Sequence, residues 1–420
     1  MAQLALLGGP KCVTTGFPTW PEHGERDRQA VAEVVESGKW WMYDYGGHEL
    51  AADGEGPGAL SQVERFEQAF ARLHRVKHAL AVSSGSNALE VAMAAVGIQP
   101  GDEVITTPYT FFATSACVLH AGAWPIYVDI DRETYNLDPA QIEAAITPRT
   151  RAILPVHFAG ELADMDAINQ IADRHGLPVI EDAAQAQGVC LRGGRYAGTL
   201  GLAGIFSFQA SKCLSCGEGG LLTTNDDTFA EKFWSLRHCG RRPDGLWYEH
   251  VRVGWNFRMP EMSAALLRTQ LERLEEQNRR RMANVAYFHH RLTEIEGLTP
   301  TRLHPDGQTH NHYLVMLRYD APLWDGVSRD RFVEALAAEG VPAMGGYAFL
   351  NFENPVFREL NSPIDYREFI DRCPHAVRAC REEAIWLMHE LFLGDRQHVD
   401  RIVEAIAKVR DHLSEIRAAD

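Results

Sequence analysis

The sequence predicts an α/β protein in two unequal parts: a large domain over residues 1–280, built on a mostly parallel sheet flanked by helices, and a smaller C-terminal α+β domain over residues 281–420. Three observations predict it. Buried-strand patterns alternate with helical ones at short spacing between residues 78 and 224. A long helical pattern rich in Glu and Arg follows at 260–295, of the kind that carries a chain from one domain into the next. Beyond about Gly297 the strands and helices become shorter and mixed. With 420 residues, 45% of them hydrophobic and 23% charged, the chain can bury two cores.

Taken in order, residues 26–38 form an amphipathic helix stopped by Gly38, followed by Trp40, Trp41, Tyr43 and Tyr45 and a glycine-rich acidic stretch to Gly58. Ser61 N-caps a helix over 61–75. Residues 78–98 read as strand, turn and helix, with Ser83–Asn87 at the helix start, where unpaired N–H groups and the helix dipole favour an anion. Strands follow at 103–106, 124–131, 152–160 and 178–180. Helices are expected at 139–146 and, with Asp164 as N-cap, at 164–176. Pro260 suits the first turn of the long helix. In the C-terminal part, HNHYLVMLR reads as a strand, SRDRFVEALAAEG as a capped helix ended by Gly340, and 398–416 as a terminal helix.

The formal net charge of −16 argues against nucleic acid or an anionic membrane surface as partner. No apolar run approaches the ~20 residues needed to span a bilayer, and the N-terminus lacks the basic start of a secretion signal, so the expected location is cytoplasmic. The eight cysteines show no framework spacing and read as reduced thiols. Cys213 and Cys216 make a single CxxC without the second ligand pair a structural zinc site needs, so no metal is expected.

The chemistry centres on Lys212 in SFQASKCLSCGEGG and on Asp182 in LPVIEDAAQAQG. A lysine that forms a Schiff base and an aspartate that holds a pyridinium nitrogen protonated are the minimum protein equipment for pyridoxal-phosphate (PLP) chemistry. Asp182, Ser207 and the Ser84–Asn87 turn all lie just past strand ends, where an open α/β sheet gathers its ligands. Glu181 alternates to the other side of the strand and reads as structural.

Read together, VSSGSNAL, GDEVITTPYTF, VDID, LPVHFAGELADMDAI, VIEDAAQAQG, FSFQASK…GEGG and WNFRM resemble the DegT/DnrJ/EryC1/StrS aminotransferases, fold-type I PLP enzymes acting on keto-sugars and cyclitols. The tail RCPHAVRACREEAIWLMHELFLG resembles the L-glutamine:scyllo-inosose aminotransferase and 3-amino-5-hydroxybenzoate synthase branches. The resemblance implies that Lys212 carries the cofactor and shuttles the proton, and that Asp182 pairs with the ring nitrogen. It implies that Gln185 meets the ring hydroxyl and Phe111 stacks on the ring. Ser207 and the Gly85–Ser86 turn would hold the phosphate, and Asn256 would reach the phosphate of a partner subunit in a homodimer with shared sites. The implied reaction is a ping-pong transfer of an amino group from L-glutamine or L-glutamate to a keto-cyclitol or keto-sugar, through PLP and its pyridoxamine form (PMP). Trp41, Tyr43, His157, Tyr347 and His389 are candidates to read uncharged ring hydroxyls, each with a structural role as the alternative.

Three features depart from the family pattern. Ser86 stands where Thr is usual, two cysteines follow the lysine, and residues 42–58 are longer and more acidic than the usual compact turn. Lys212 argues against the dehydratase branch, which carries histidine there. A dehydratase-aromatase of the aminohydroxybenzoate type and a PLP-binding regulatory homologue remain as alternatives.

Overall fold

The computed structural model describes residues 3–44 and 60–418. Tyr45 and the acidic stretch from residue 45 to 58 lie outside the described residues. Among the described residues no helix is long and apolar enough to cross a membrane.

After α1 (Glu25–Ser37) and α2 (Gln62–His74), the chain alternates strand and helix: β1 (His78–Val82), α3 (Gly85–Val96), β2 (Glu103–Thr106), α4 (Ala113–His120), β3 (Trp124–Tyr127), the single turn α5 (Ile142–Ala145), β4 (Thr150–Ile153), α6 (Met165–His175) and β5 (Ile180–Asp182). A small hairpin, β6 (Cys190–Leu191) and β7 (Arg195–Tyr196), precedes β8 (Ala203–Ser207), β9 (Gly220–Thr224) and α7 (Asp227–Arg237). The main strands form one sheet in the order β3-β2-β4-β5-β8-β9-β1, with β4 and β5 joined by the parallel bridges Ile153–Val179 and Val156–Asp182. Only β9 runs against the others. Helices on both faces bury its apolar side chains, with α3 and α7 on one side (Val91, Met93, Phe233) and α2 on the other (Phe66, Phe70).

Local chemistry sets the ends. Ser61 Oγ accepts the N–H of Glu64, and the Glu64 carboxylate accepts that of Ser61, a reciprocal cap for α2. Asp164 caps α6 through the N–H of Ala167, as expected. Some segments differ from the sequence reading. The expected strand at 178–180 lies two residues later, as β5, because Pro178 has no N–H to give to a ladder. The strand expected to reach residue 131 ends at Tyr127. There the chain turns so that Asp129 accepts the N–H groups of His375 and Ala376, at the start of a C-terminal helix. The helix expected at 139–146 is only a 3-10 turn, Pro139–Gln141, followed by α5.

The 32-residue α8 (Glu261–Leu292) leads into the second unit, so the expected division at 280/281 falls inside a continuous helix. There β10 (Leu298–Pro300), β12 (Leu314–Tyr319), β13 (Ala343–Met344) and β14 (Ala384–Met388) form an antiparallel sheet in the order β10-β12-β14-β13. It is covered by α9 (Arg329–Ala338) and the helix Arg396–Asp411. Between β10 and β12, β11 (Gly307–Thr309) pairs with β6 and ties the two units together. Leu4 and Val13, assigned by sequence to the first unit, pack into the core of the second.

Candidate active site

The cleft forms where β1, β8 and β5 end and the antiparallel β9 begins. Because β9 lies between β1 and β8, the start of α3 comes against the end of β8, and two glycines permit it. A Cβ on Gly85 would stand 2.8 Å from Ser207 Cβ, and one on Gly220 would stand 2.2 Å from the carbonyl oxygen of Ser84. Ser84 N-caps α3 by accepting the N–H of Asn87 at 3.1 Å, leaving Gly85 and the exposed Ser86 at the helix N-terminus, facing the cleft.

Asp182, at the end of β5, is 4% exposed. Its carboxylate accepts the hydroxyl of Thr114 at 2.8 Å and the N–H of Ala184 at 3.2 Å. Burial pushes its pKa up against the pull of these two bonds and of Lys212. A buried carboxylate with acceptor capacity left over calls for a cationic partner. Strand alternation sends Glu181 to the opposite side, where it accepts the N–H groups of Gly198, Leu200 and Gly201 and the imidazole of His157. That matches its structural reading.

Lys212 sits on the loop between β8 and β9, its Nζ 4.2 Å from the centre of the Tyr313 ring. With Gly85, Ser86, Phe111, Asp182, Gln185, Ser207 and Tyr347 it lines one cavity of about 660 Å³. Phe111 is 63% exposed, an aromatic face open to that cavity. Gln185 is oriented by the N–H of Ala159, which its Oε1 accepts at 2.7 Å. Burial pushes the Tyr347 phenol up, opposed by a hydrogen bond from Gln185, so it stays a neutral hydroxyl.

Five of the residues singled out by sequence do not line this cavity. His157 is fully enclosed, with Nε2 given to Glu181 at 2.8 Å and Nδ1 accepting the N–H of Ala163. It sits under the sheet because its partner Glu181 points away from the cleft. His389 is also buried, its Nε2 3.1 Å from the carbonyl oxygen of Ser211. Trp41 and Tyr43 pack edge-on against Trp247, and the Tyr43 hydroxyl meets His238 Nδ1 at 3.1 Å. Asn256 bridges backbone to backbone with the same His238, on an exposed segment where Tyr248 is 84% and Val253 96% exposed. Trp41, Tyr43 and Asn256 therefore form a second group at the surface.

Sequence reasoning missed Thr114, which fixes Asp182, and Tyr313, which covers Lys212. Thr114 had a signal: with Thr110 it places two hydroxyls at i, i+4, and the two side chains meet at 3.1 Å.

The model of the DegT/DnrJ/EryC1/StrS aminotransferase family matches residues 55–407. A protein of Streptoalloteichus tenebrarius, provisionally named L-glutamine:3-amino-2,3-dideoxy-scyllo-inosose aminotransferase, is 40% identical, with 99% of this chain and 100% of the relative covered. The chain belongs to the DegT/DnrJ/EryC1/StrS aminotransferase family. Among solved structures, a 3-amino-5-hydroxybenzoic acid synthase superposes with a TM-score of 0.84 at 34% identity, covering 94% of this chain and 98% of that one. NtdA from Bacillus subtilis, solved with bound PMP, gives a TM-score of 0.76 at 27% identity, covering 92% and 81%. The family's aminotransferase fold thus extends through both units of the chain. All eight cysteines are free thiols, with Cys213 buried and Cys216 partly so.

Proposed function

We propose that the protein is a PLP-dependent aminotransferase that moves the amino group of L-glutamine to a ketone on a polyhydroxylated ring, in the cytoplasm. The observation that carries this reading is the meeting of Lys212, Asp182, Phe111 and the α3 N-terminus in one cavity.

These residues fit the cofactor: Asp182 is a buried carboxylate with spare acceptor capacity, Phe111 an open aromatic face, and Ser86 with the α3 N–H groups an anion cradle. When bound, PLP supplies a carbonyl for the amino group and an electron sink for the Cα–H bond. Lys212 would provide the amine that holds the cofactor, and its Nζ would carry the proton to and from the substrate carbon. Asp182 keeps the ring nitrogen cationic, and Thr114 keeps Asp182 aimed. Gly85, Ser86 and Ser207 would hold the phosphate, Phe111 would cover the ring face, and Gln185 would orient the ring hydroxyl.

The other cavity-lining polar groups suit an uncharged ring. Gln209, Ser211, Tyr313 and Tyr347 offer hydroxyl and amide groups, and among the described lining residues there is no arginine to grip a phosphorylated substrate. The glutamine donor and the cyclitol-like acceptor follow the name of the 40%-identical relative. We place Asn256, with Trp41 and Tyr43, at the mouth of a partner subunit's cleft in a homodimer. Their grouping on an exposed aromatic surface supports this. Lys212→Ala is expected to yield protein that gains no yellow band with PLP and traps no covalent adduct on borohydride reduction. A trapped adduct in that variant refutes the assignment of the lysine.

A further inference from the structure

Two ring N–H groups from distant parts of the chain converge on the backbone immediately before Lys212. The indole Nε1 of Trp20, from the N-terminal segment, donates to the carbonyl of Ala210 at 3.0 Å. His389, just after β14, places Nε2 3.1 Å from the carbonyl of Ser211, so this nitrogen carries the proton. The alternative acceptor for that proton, Glu390 Oε2, stands at 3.7 Å, beyond hydrogen-bond range. The two rings pack edge to face at 4.6 Å and 87°. Behind them the Arg281 guanidinium, fully buried, lies 5.3 Å from the Trp20 ring.

The loop needs such partners. Between β8 and β9 the Ala210 and Ser211 carbonyls serve no helix or strand, and orphan carbonyls beside a cleft are costly and mobile. The rest of the loop is tied internally: Lys212 N–H donates to the Gln209 carbonyl at 2.8 Å, and the Ser211 N–H and hydroxyl both donate to Gln209 Oε1. Those bonds fix the turn's shape but not its position against the cleft. The Trp20 and His389 bonds, the contact of the Ser211 hydroxyl with Tyr313 at 3.2 Å and the Cys213 thiol, 3.7 Å from the Asn311 carbonyl, tie it to other elements.

We propose that Trp20 and His389 are positioning residues for Lys212, a two-ring clamp through which the N-terminal segment and the second unit hold the lysine backbone in register with the cleft. This rests on Lys212 being the reacting amine. A small displacement of a reacting group costs rate far more than stability.

The test uses the full chain as Trp20→Phe, His389→Leu and His389→Gln. Trp20→Phe removes an N–H and keeps an aromatic ring. His389→Gln keeps a donor near the Nε2 position. The readouts are hydrogen exchange at the Lys212 amide in the apoprotein, the rate of PLP capture at Lys212 by borohydride trapping and peptide mass, and kcat against donor KM. Trp20→Phe and His389→Leu are expected to speed that exchange, to slow capture about tenfold, and to lower kcat in step at unchanged KM, while His389→Gln returns all three to near wild type. Unchanged exchange and capture in Trp20→Phe and His389→Leu, or a Gln variant as slow as Leu, overturn the clamp. If His389→Leu fails to fold, Trp20→Phe decides alone. Wild-type protein that captures no PLP at Lys212 instead overturns the functional reading, and the clamp with it.

Discussion

Asp182 shows how much of a buried carboxylate's behaviour belongs to its neighbours. Among the described residues its only side-chain hydrogen-bond donor is Thr114, at 2.8 Å, and both groups are buried. Thr114→Val keeps the shape and removes the hydroxyl, leaving one carboxylate oxygen without a donor at a cost of about 1–3 kcal/mol. The variant is expected to fold, to bind PLP more weakly, and to lose about 10- to 100-fold in kcat, as measured by steady-state kinetics with saturating PLP. Wild-type kcat in that variant contradicts a role for Thr114. At this scale the sequence singled out Lys212, Asp182 and Phe111, and the fold brings all three to one cavity. It was not legible for histidines. In the sequence His157 and His389 each read as a hydroxyl reader or a structural residue; both His157 nitrogens go to Glu181 and Ala163, and His389 Nε2 goes to Ser211, partners that only the fold brings near.

Elements positioned by a cap or a turn signal were the readable ones: α2 from Ser61 and Glu64, α6 from Asp164, α9 from Ser328. Ends fixed by distant partners were not, and the early end of β3 is the example, since Asp129 is drawn to the N–H groups of residues 375 and 376. The joint between α2 and α8 carries a pH dependence of the same kind. Glu261, at the start of α8, is fully buried, and its carboxylate accepts the N–H of Gln62 at 2.6 Å and of Val63 at 3.4 Å. Burial outweighs these bonds and raises its pKa from 4.5 to about 7. With the folded value above the unfolded one, the native state binds the extra proton. This group's stabilisation is complete below 4.5 and is lost as pH rises through about 7. Melting temperature is therefore expected to fall with pH across that window less steeply in Glu261→Gln than in wild type. Parallel profiles contradict the assignment.

For the whole molecule, the described cleft contains the lysine, the aspartate and the helix terminus, while Trp41, Tyr43 and Asn256 sit together elsewhere on the surface. The homodimer with shared sites that we propose accounts for both groups. It predicts that Lys212→Ala and Asn256→Ala proteins, each inactive alone, regain about a quarter of wild-type activity when unfolded, mixed and refolded, because half the dimers are hybrids with one intact site. No recovery from a mixture shown to contain hybrids contradicts the sharing. The alternation of strands and helices and the length of α8 were visible in the sequence. The return of Leu4 and Val13 to the second core was not, because a short apolar run does not say which core it joins.

The central claim is that the Lys212–Asp182 cleft accepts an amino group from L-glutamine onto PLP. The most direct measurement is the visible absorption spectrum of PLP-loaded protein before and after addition of L-glutamine and, separately, of L-glutamate. The account predicts a yellow band that bleaches with L-glutamine as the pyridoxamine form appears, and that returns when a keto-cyclitol is added. Bleaching with L-glutamate alone contradicts the donor. A yellow protein that bleaches with neither contradicts the aminotransferase reading of this chain, and the absence of any band after PLP is supplied contradicts the account as a whole.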